Sequence, residues 1–121
     1  MNTGNISRSL RIFVSSTDKI NNQPIYETLV FLAKKQDMAG ATVLRGVMGY
    51  GASSVVHSIK FWEYSEKLPV IVEIIDTKDK IDNFFETIKP LLESMEKGCM
   101  VSVEDIEVMI YKPGGNKEAT T

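Results

Sequence analysis

Residues 40–54 read Gly-Ala-Thr-Val-Leu-Arg-Gly-Val-Met-Gly-Tyr-Gly-Ala-Ser-Ser, and residues 68–75 read Leu-Pro-Val-Ile-Val-Glu-Ile-Ile. The first stretch is a strand that ends in a Gly-x-Gly turn and opens into a loop; the second is the strand that receives the chain again. Hairpins usually return in about two to five residues, so a longer excursion in a small domain is functional or disordered. Gly46, Gly49 and Gly51 let the backbone approach another molecule closely or take a positive φ. Function is therefore sought in this loop, about residues 49–67, rather than in a catalytic cluster.

Working outward, Leu10, Ile12 and Val14 alternate with Arg11, Phe13 and Ser15, the period of a strand. Asn21 and Asn22 offer helix caps, with Pro24 in the first turn. Ile25, Leu29, Leu32 and Ala33 follow at helical spacing to about Asp37, and Gly40 suits a left-handed closing residue. The second strand covers about residues 41–48. The third, Val70–Ile75, is so continuously apolar that burial on both faces is expected. Thr77 is a candidate N-cap for a second helix whose stripe is Ile81, Phe84, Phe85, Ile88, Leu91, Leu92 and Met95. Pro90 predicts a kink or break in it, and Gly98 its end. Val101 and Val103 form a short strand, and Ile106, Val108 and Ile110 alternate in a last one. The order is βαβ, long loop, βαβ. This is the α+β, ferredoxin-like split βαβ arrangement, an antiparallel sheet with both helices on one face. One domain over residues 1–121 is expected, with its core in about 9–111 and a loose tail at 112–121.

The chain has 121 residues, 43% hydrophobic and 25% charged, with a formal net charge of −2. That balance argues against a nucleic-acid partner, which needs a basic face. Cys99 is the only cysteine, so an intramolecular disulfide and a Cys-rich metal site are excluded, and a cytoplasmic location is expected. The apolar runs are strand-length, too short to insert in a membrane. His57 is the sole histidine and reads as a solvated loop residue. Ser53 and Ser54 do not sit in a Gly-x-Ser-x-Gly elbow, and Gly49-Tyr50-Gly51 opens no helix as a dinucleotide fingerprint does. Glu104, Asp105 and Glu107 read as a solvated turn, and Cys99 as a small apolar residue. No catalytic or metal-ligating set emerges, so the chain is expected not to be an enzyme. Phe61, Trp62 and Tyr64 stand out in a loop of small residues. They either pack against another subunit or cap the open end of the chain's own core.

Taken together, Gly40-Ala-Thr-Val43, Gly49-Tyr-Gly51 and Leu68-Pro69 around the long loop resemble the PII signal-transduction superfamily. Closer still is its branch known as domain-of-unknown-function family one-ninety. Members are similar at Ala-Thr-Val-Leu-Arg-Gly, Gly-Ala-Ser-Ser and Leu-Pro-Val-Ile-Val-Glu, here residues 41–46, 51–54 and 68–73. The resemblance covers about residues 9–111. It implies a ferredoxin-like homotrimer with ligand clefts between subunits, and a mobile loop that touches a target such as a membrane transporter, a channel or a metabolic enzyme.

Carried over by position, Gly49, Tyr50 and Gly51 match the turn at the base of the loop that lines the nucleotide cleft. Thr42 and Val43 lie on the supporting strand, and a base would sit against Val43 and Val47. Ala52, Ser53, Ser54 and His57 fall in the partner-facing loop, and Phe61, Trp62 and Tyr64 at the trimer interface. The segment from Ala52 to about Ile59 is expected to be mobile without ligand. Superfamily members grip phosphates with a second loop of the kind Thr-Gly-x-x-Gly-Asp-Gly-Lys. This chain has Met95-Glu-Lys-Gly-Cys-Met-Val101 there, and only Lys97 and Gly98 survive. A triphosphate would find few partners, which points to AMP or a cyclic adenine nucleotide. A trimeric copper-tolerance (CutA-like) protein with metal as ligand is the nearest alternative, weakened by the single His and single Cys. Acylphosphatases need an Arg-bearing loop where this chain has Ser15-Ser-Thr-Asp-Lys-Ile20. RNA-binding domains of this topology carry aromatics on central strands, and Val70–Ile75 has none.

Overall fold

The computed structural model describes Met1 and residues 6–51, 57–58 and 67–115, with backbone alone at 57–58. Four strands form one sheet: β1 (Ser7–Ser15), β2 (Ala41–Arg45), β3 (Pro69–Thr77) and β4 (Met100–Ile106). They lie in the order β2-β3-β1-β4, every neighbouring pair antiparallel. Helix α1 (Ile25–Lys35) connects β1 to β2, and α2 (Lys78–Glu93) connects β3 to β4. This is the split βαβ topology expected from the element order.

The alternation that marks β1 and β3 as strands also decides what they bury. Leu10, Ile12 and Val14 on β1 and Val70, Val72 and Ile74 on β3 face the helices. They pack with Ile25, Leu29 and Ala33 of α1 and with Ile81, Phe84, Ile88 and Leu92 of α2 in one core. Each such large side chain contributes roughly 1.5–3 kcal/mol relative to exposure. At the far end of β3, the buried Asp76 carboxylate accepts the backbone N–H of Ala39 at 2.8 Å and lies 3.4 Å from Lys80 Nζ. It ties the approach to β2 to the start of α2.

Several local expectations are corrected. Asn21 (φ 51°) and Asn22 (φ 66°) do not cap α1. They form a two-residue turn with both φ positive, joining Lys19–Ile20 to Gln23–Pro24, which Asn tolerates because its short side chain bonds locally. Pro24 itself is the residue before α1, and no side chain caps the helix. At its other end the left-handed residue is Asp37 (φ 59°), not Gly40. Thr77 occupies the N-cap of α2 without a side-chain cap bond. α2 passes through Pro90 and stops at Glu93, well short of Gly98. β3 is not buried on both faces: every second residue is buried and those between are half-buried.

β4 is longer than the short strand expected at Val101–Val103, and the separate strand over Ile106–Tyr111 is absent. The register explains this. Ile106 pairs with Ser7, the first residue of β1, so the chain beyond Ile106 has run past its partner. Met109 and Ile110 are left 82% and 79% exposed. Pro113–Gly115 is exposed and in no helix or strand.

Candidate ligand site at the base of the long loop

β2 ends at Arg45, earlier than its apolar run suggests, because the chain turns to pack on Pro69. Gly46 donates its N–H to the Pro69 carbonyl at 2.8 Å. A Cβ on Gly46 would stand 2.8 Å from Pro69 Cγ, and one on Gly49 would stand 3.3 Å from it. No described glycine has a positive φ, so the reason for glycine at 46 and 49 is close approach to this ring rather than backbone freedom. Met48–Gly49 then pairs with His57–Ser58 in a short antiparallel ladder.

The returning leg is held as firmly. Ser16 donates its N–H to the Leu68 carbonyl at 2.9 Å, and Leu68 donates its N–H to Ser16 Oγ at 3.1 Å. Ser16 belongs to a turn braced by the buried Asp18, whose carboxylate accepts the Ser15 N–H at 2.8 Å. The roles of Ser16 and of the Pro69 ring were not read from the sequence. The one signal for them was the Leu-Pro pair opening β3.

The proposed ligand residues fall into two groups. Thr42 and Val43 lie on β2, Thr42 on the open face of the sheet opposite Glu73 and Val43 on the helix side opposite Val72. Val47 and Tyr50 continue that edge and are 66% and 70% exposed. A Cβ on Gly51 would meet nothing within 4 Å. Lys97 and Gly98 are exposed in the turn that enters β4. Both groups lie at one end of the sheet, because Arg45 pairs with Val70 near the start of β3 and Met100 pairs with Phe13 near the end of β1. They sit on opposite edges, however, with β3 and β1 between them, roughly 14 Å apart at ordinary strand spacing. One chain does not bring them together. Ala52, Ser53, Ser54, Phe61, Trp62 and Tyr64 lie outside the described residues, as do most of the segment expected to be mobile and the side chain of His57.

The open face of the sheet is patterned in rows. Leu44, Ile71, Phe13 and Met100 are successive cross-strand partners and form an apolar row from edge to edge. The next row is polar: Thr42, Glu73, Arg11 and Ser102. In it Arg11 Nε donates to Glu73 Oε2 at 2.8 Å, and Ser9 Oγ donates to the same oxygen at 3.3 Å. That hydrogen bond and the charge of Glu73 hold the Arg11 proton more firmly than usual. Burial, helped by the charge of Asp18, pushes the Cys99 thiol up and so keeps it protonated at neutral pH. Among the described residues no three His, Cys, Asp or Glu side chains are grouped to hold a metal ion. No described helix is long and apolar enough to cross a membrane.

Comparison with known proteins agrees with this architecture. A UPF0166 protein of Aquifex aeolicus (strain VF5) is 37% identical over 100 residues, covering 83% of this chain and 90% of that one. A Thermus thermophilus protein described as PII-like signaling superposes with a TM-score of 0.62 at 14% identity, covering 86% of this chain and 90% of that one. CPII from Thiomonas intermedia K12, bound to ADP, AMP and acetate, superposes with a TM-score of 0.60 at 15% identity, covering 86% of this chain and 89% of that one. These likenesses extend the split βαβ topology to a PII-like fold. The model of the DUF190 family, described as uncharacterized ACR, matches residues 7–108, and the chain belongs to that family.

Proposed function

We propose that this chain is a non-catalytic, PII-like regulator that binds an adenine nucleotide between the subunits of a homotrimer and signals through its long loop. The observation that carries the reading is the division of the candidate site. Val47, Gly49 and Gly51 stand at one edge of the sheet and Lys97 and Gly98 at the other, at the same end. A cyclic assembly unites such halves, and an isolated chain does not. The apolar row Leu44–Ile71–Phe13–Met100 on the open face supports the same assembly, because a second copy would remove it from water. The adenine nucleotides bound by CPII, a protein with this fold, support the choice of ligand.

Within the cleft, Gly51 offers open backbone for a phosphate, and the N–H groups around Gly49–Gly51 are suited to an anion nest. Val43 and Val47 form an aliphatic wall for the base. Lys97 is the one cation proposed for the phosphate, which favours AMP or a cyclic nucleotide over ATP. The ligand biases the loop between two states, and a partner, a transporter or an enzyme, reads which state is present.

Calorimetric melting with AMP, ADP, ATP and cyclic AMP tests the proposal. At about a hundredfold excess over Kd, one bound nucleotide stabilises the fold by roughly 2.7 kcal/mol, a shift of several degrees. Gly51→Val removes the shift without lowering the melting temperature of the free protein. An unmoved melting temperature with all four nucleotides at millimolar concentration refutes it.

A further inference from the structure

We infer that Asp18 is the residue that ends the β1–β4 ladder and so keeps the Lys97–Gly98 turn out of the sheet. That makes Asp18 a positioning residue for the phosphate side of the site proposed above, and its bearing on function rests on that reading.

Along a strand, successive residues turn their N–H and C=O groups to opposite neighbours. Ser16 donates its N–H to Leu68, on the β3 side. Ser15 therefore directs both of its backbone groups the other way, toward β4. Phe13 shares that direction and pairs with Met100, the first residue of β4. Carried two residues further, the same register sets Ser15 opposite Gly98. A regular ladder would then join the pair twice, Ser15 N–H to the Gly98 carbonyl and Gly98 N–H to the Ser15 carbonyl.

Asp18 takes both Ser15 groups instead. Its carboxylate Oδ2 accepts the Ser15 N–H at 2.8 Å, and its own N–H is donated to the Ser15 carbonyl at 3.1 Å. One side chain and one peptide thus supply the two hydrogen bonds of the next ladder pair. The competition favours Asp18 on two counts. A bond to a carboxylate is roughly twice as strong as one to a neutral carbonyl. Asp18 is also a near neighbour of Ser15 in the chain, so little entropy is lost in bringing it there.

Asp18 is fixed in this role. It is 6% exposed, and its carbonyl accepts the N–H of Ile25, the first residue of α1, at 2.8 Å. Thr17 donates its N–H to Ser15 Oγ at 3.4 Å and closes the turn between them. The charge of Asp18 is felt at Cys99, as expected of a carboxylate that faces the entry of β4. The consequence falls on Lys97. A ladder running on through Ser15 and Gly98 would draw Lys97 toward the sheet, level with Ser16. With the ladder stopped at Met100, Lys97 and Gly98 stay in an exposed turn, where an ammonium group and backbone N–H groups are free to meet a phosphate. The Asp18 carboxylate and the Gly98 carbonyl compete for one N–H, so the entry of β4 has two arrangements.

Amide hydrogen exchange, read residue by residue by NMR before any nucleotide is added, tests this. In the parent and in Asp18→Asn, whose side-chain oxygen still accepts the Ser15 N–H, the Gly98 amide should exchange fast. In Asp18→Ala the freed Ser15 groups take Gly98 into the ladder, and its amide should slow by about tenfold or more. A Gly98 amide that stays fast in Asp18→Ala overturns the inference, and so does a slow one in the parent. Should Asp18→Ala fail to fold, Asp18→Ser gives the same reading, because its hydroxyl stays polar at the buried position but falls short of the Ser15 N–H. The AMP melting shift then tests the bearing on the site. It should persist in Asp18→Asn and vanish in Asp18→Ala. A shift that survives in Asp18→Ala with Gly98 protected overturns the positioning role. No shift in the parent refutes the nucleotide reading and leaves the end of the ladder to be judged by exchange alone.

Discussion

The two faces of the sheet are built from the same strands and alternate residue by residue, yet they are filled by different rules. On the helix side every inward position of β1 and β3 between Leu10 and Val14 and between Val70 and Ile74 is a large aliphatic, and all are buried. On the open side an apolar row is followed at once by an ion-paired row, and its members are only partly covered. A face that needs only to exclude water can be uniformly greasy. A face that must meet one particular surface in one register gains from charges that are satisfied in a single alignment. The helix side is the interior of the chain, and the open side is the surface that the assembly proposed above would cover.

That contrast can be broken most forcefully at matched aromatics. Phe84→Ala, on the helix side, should lower the stability of the separated subunit by about 3–5 kcal/mol in urea unfolding. Phe13→Ala, on the open side, should lower it by about 1–2 kcal/mol, since its ring is only partly covered and is packed from one side. Equal losses would mean that the open face is already part of the monomer's core. A second test sharpens the difference at the loop stem. Gly46→Ala forces a methyl to within 2.8 Å of the Pro69 ring and should lose about 1–3 kcal/mol. Gly51→Ala meets nothing within 4 Å and should stay within about 0.5 kcal/mol of the parent.

The smallest effect belongs to Asp82, which ties α2 to β1 through Arg8. The Lys78 hydrogen bond, with the charges of Lys78 and Arg8, holds the Asp82 carboxyl below its ordinary range. A carboxyl depressed in the folded state stabilises above its unfolded pKa of about 3.9, and that contribution is lost as pH falls through the folded value. Urea midpoints of the parent and Asp82→Asn should therefore differ at pH 7 and converge well below pH 4. A gap that persists at low pH would assign the effect of the substitution to packing.

Much of this was legible in the chain because period and register are local properties. β1 and α2 announce themselves by alternation and by the stripe from Ile81 to Leu92, and the long loop is bounded by Gly-rich and Leu-Pro signals. Three things were not. Asn21-Asn22 can cap a helix or make a turn with positive φ, and only the pairing of Ile20 with Gln23 decides between them. Ile106–Tyr111 alternates like a strand, but whether a strand finds a partner depends on where β1 begins. The candidate ligand residues carry no mark of the edge on which they lie. That follows from strand order, a property of the whole sheet.

The stem of the long loop has a further consequence, for how such chains diverge. Gly46 and Gly49 are seated on Pro69, and Leu68 is bonded twice to Ser16, so both legs are fastened before the excursion begins. Closing a longer excursion over a fixed stem adds only about 0.6 kcal/mol for each doubling of its length. Insertions, deletions and wholesale replacement between residues 51 and 66 thus leave the sheet's register untouched. Related chains can rewrite this segment without disturbing the sheet, provided the glycines, the proline and the serine beneath it are kept.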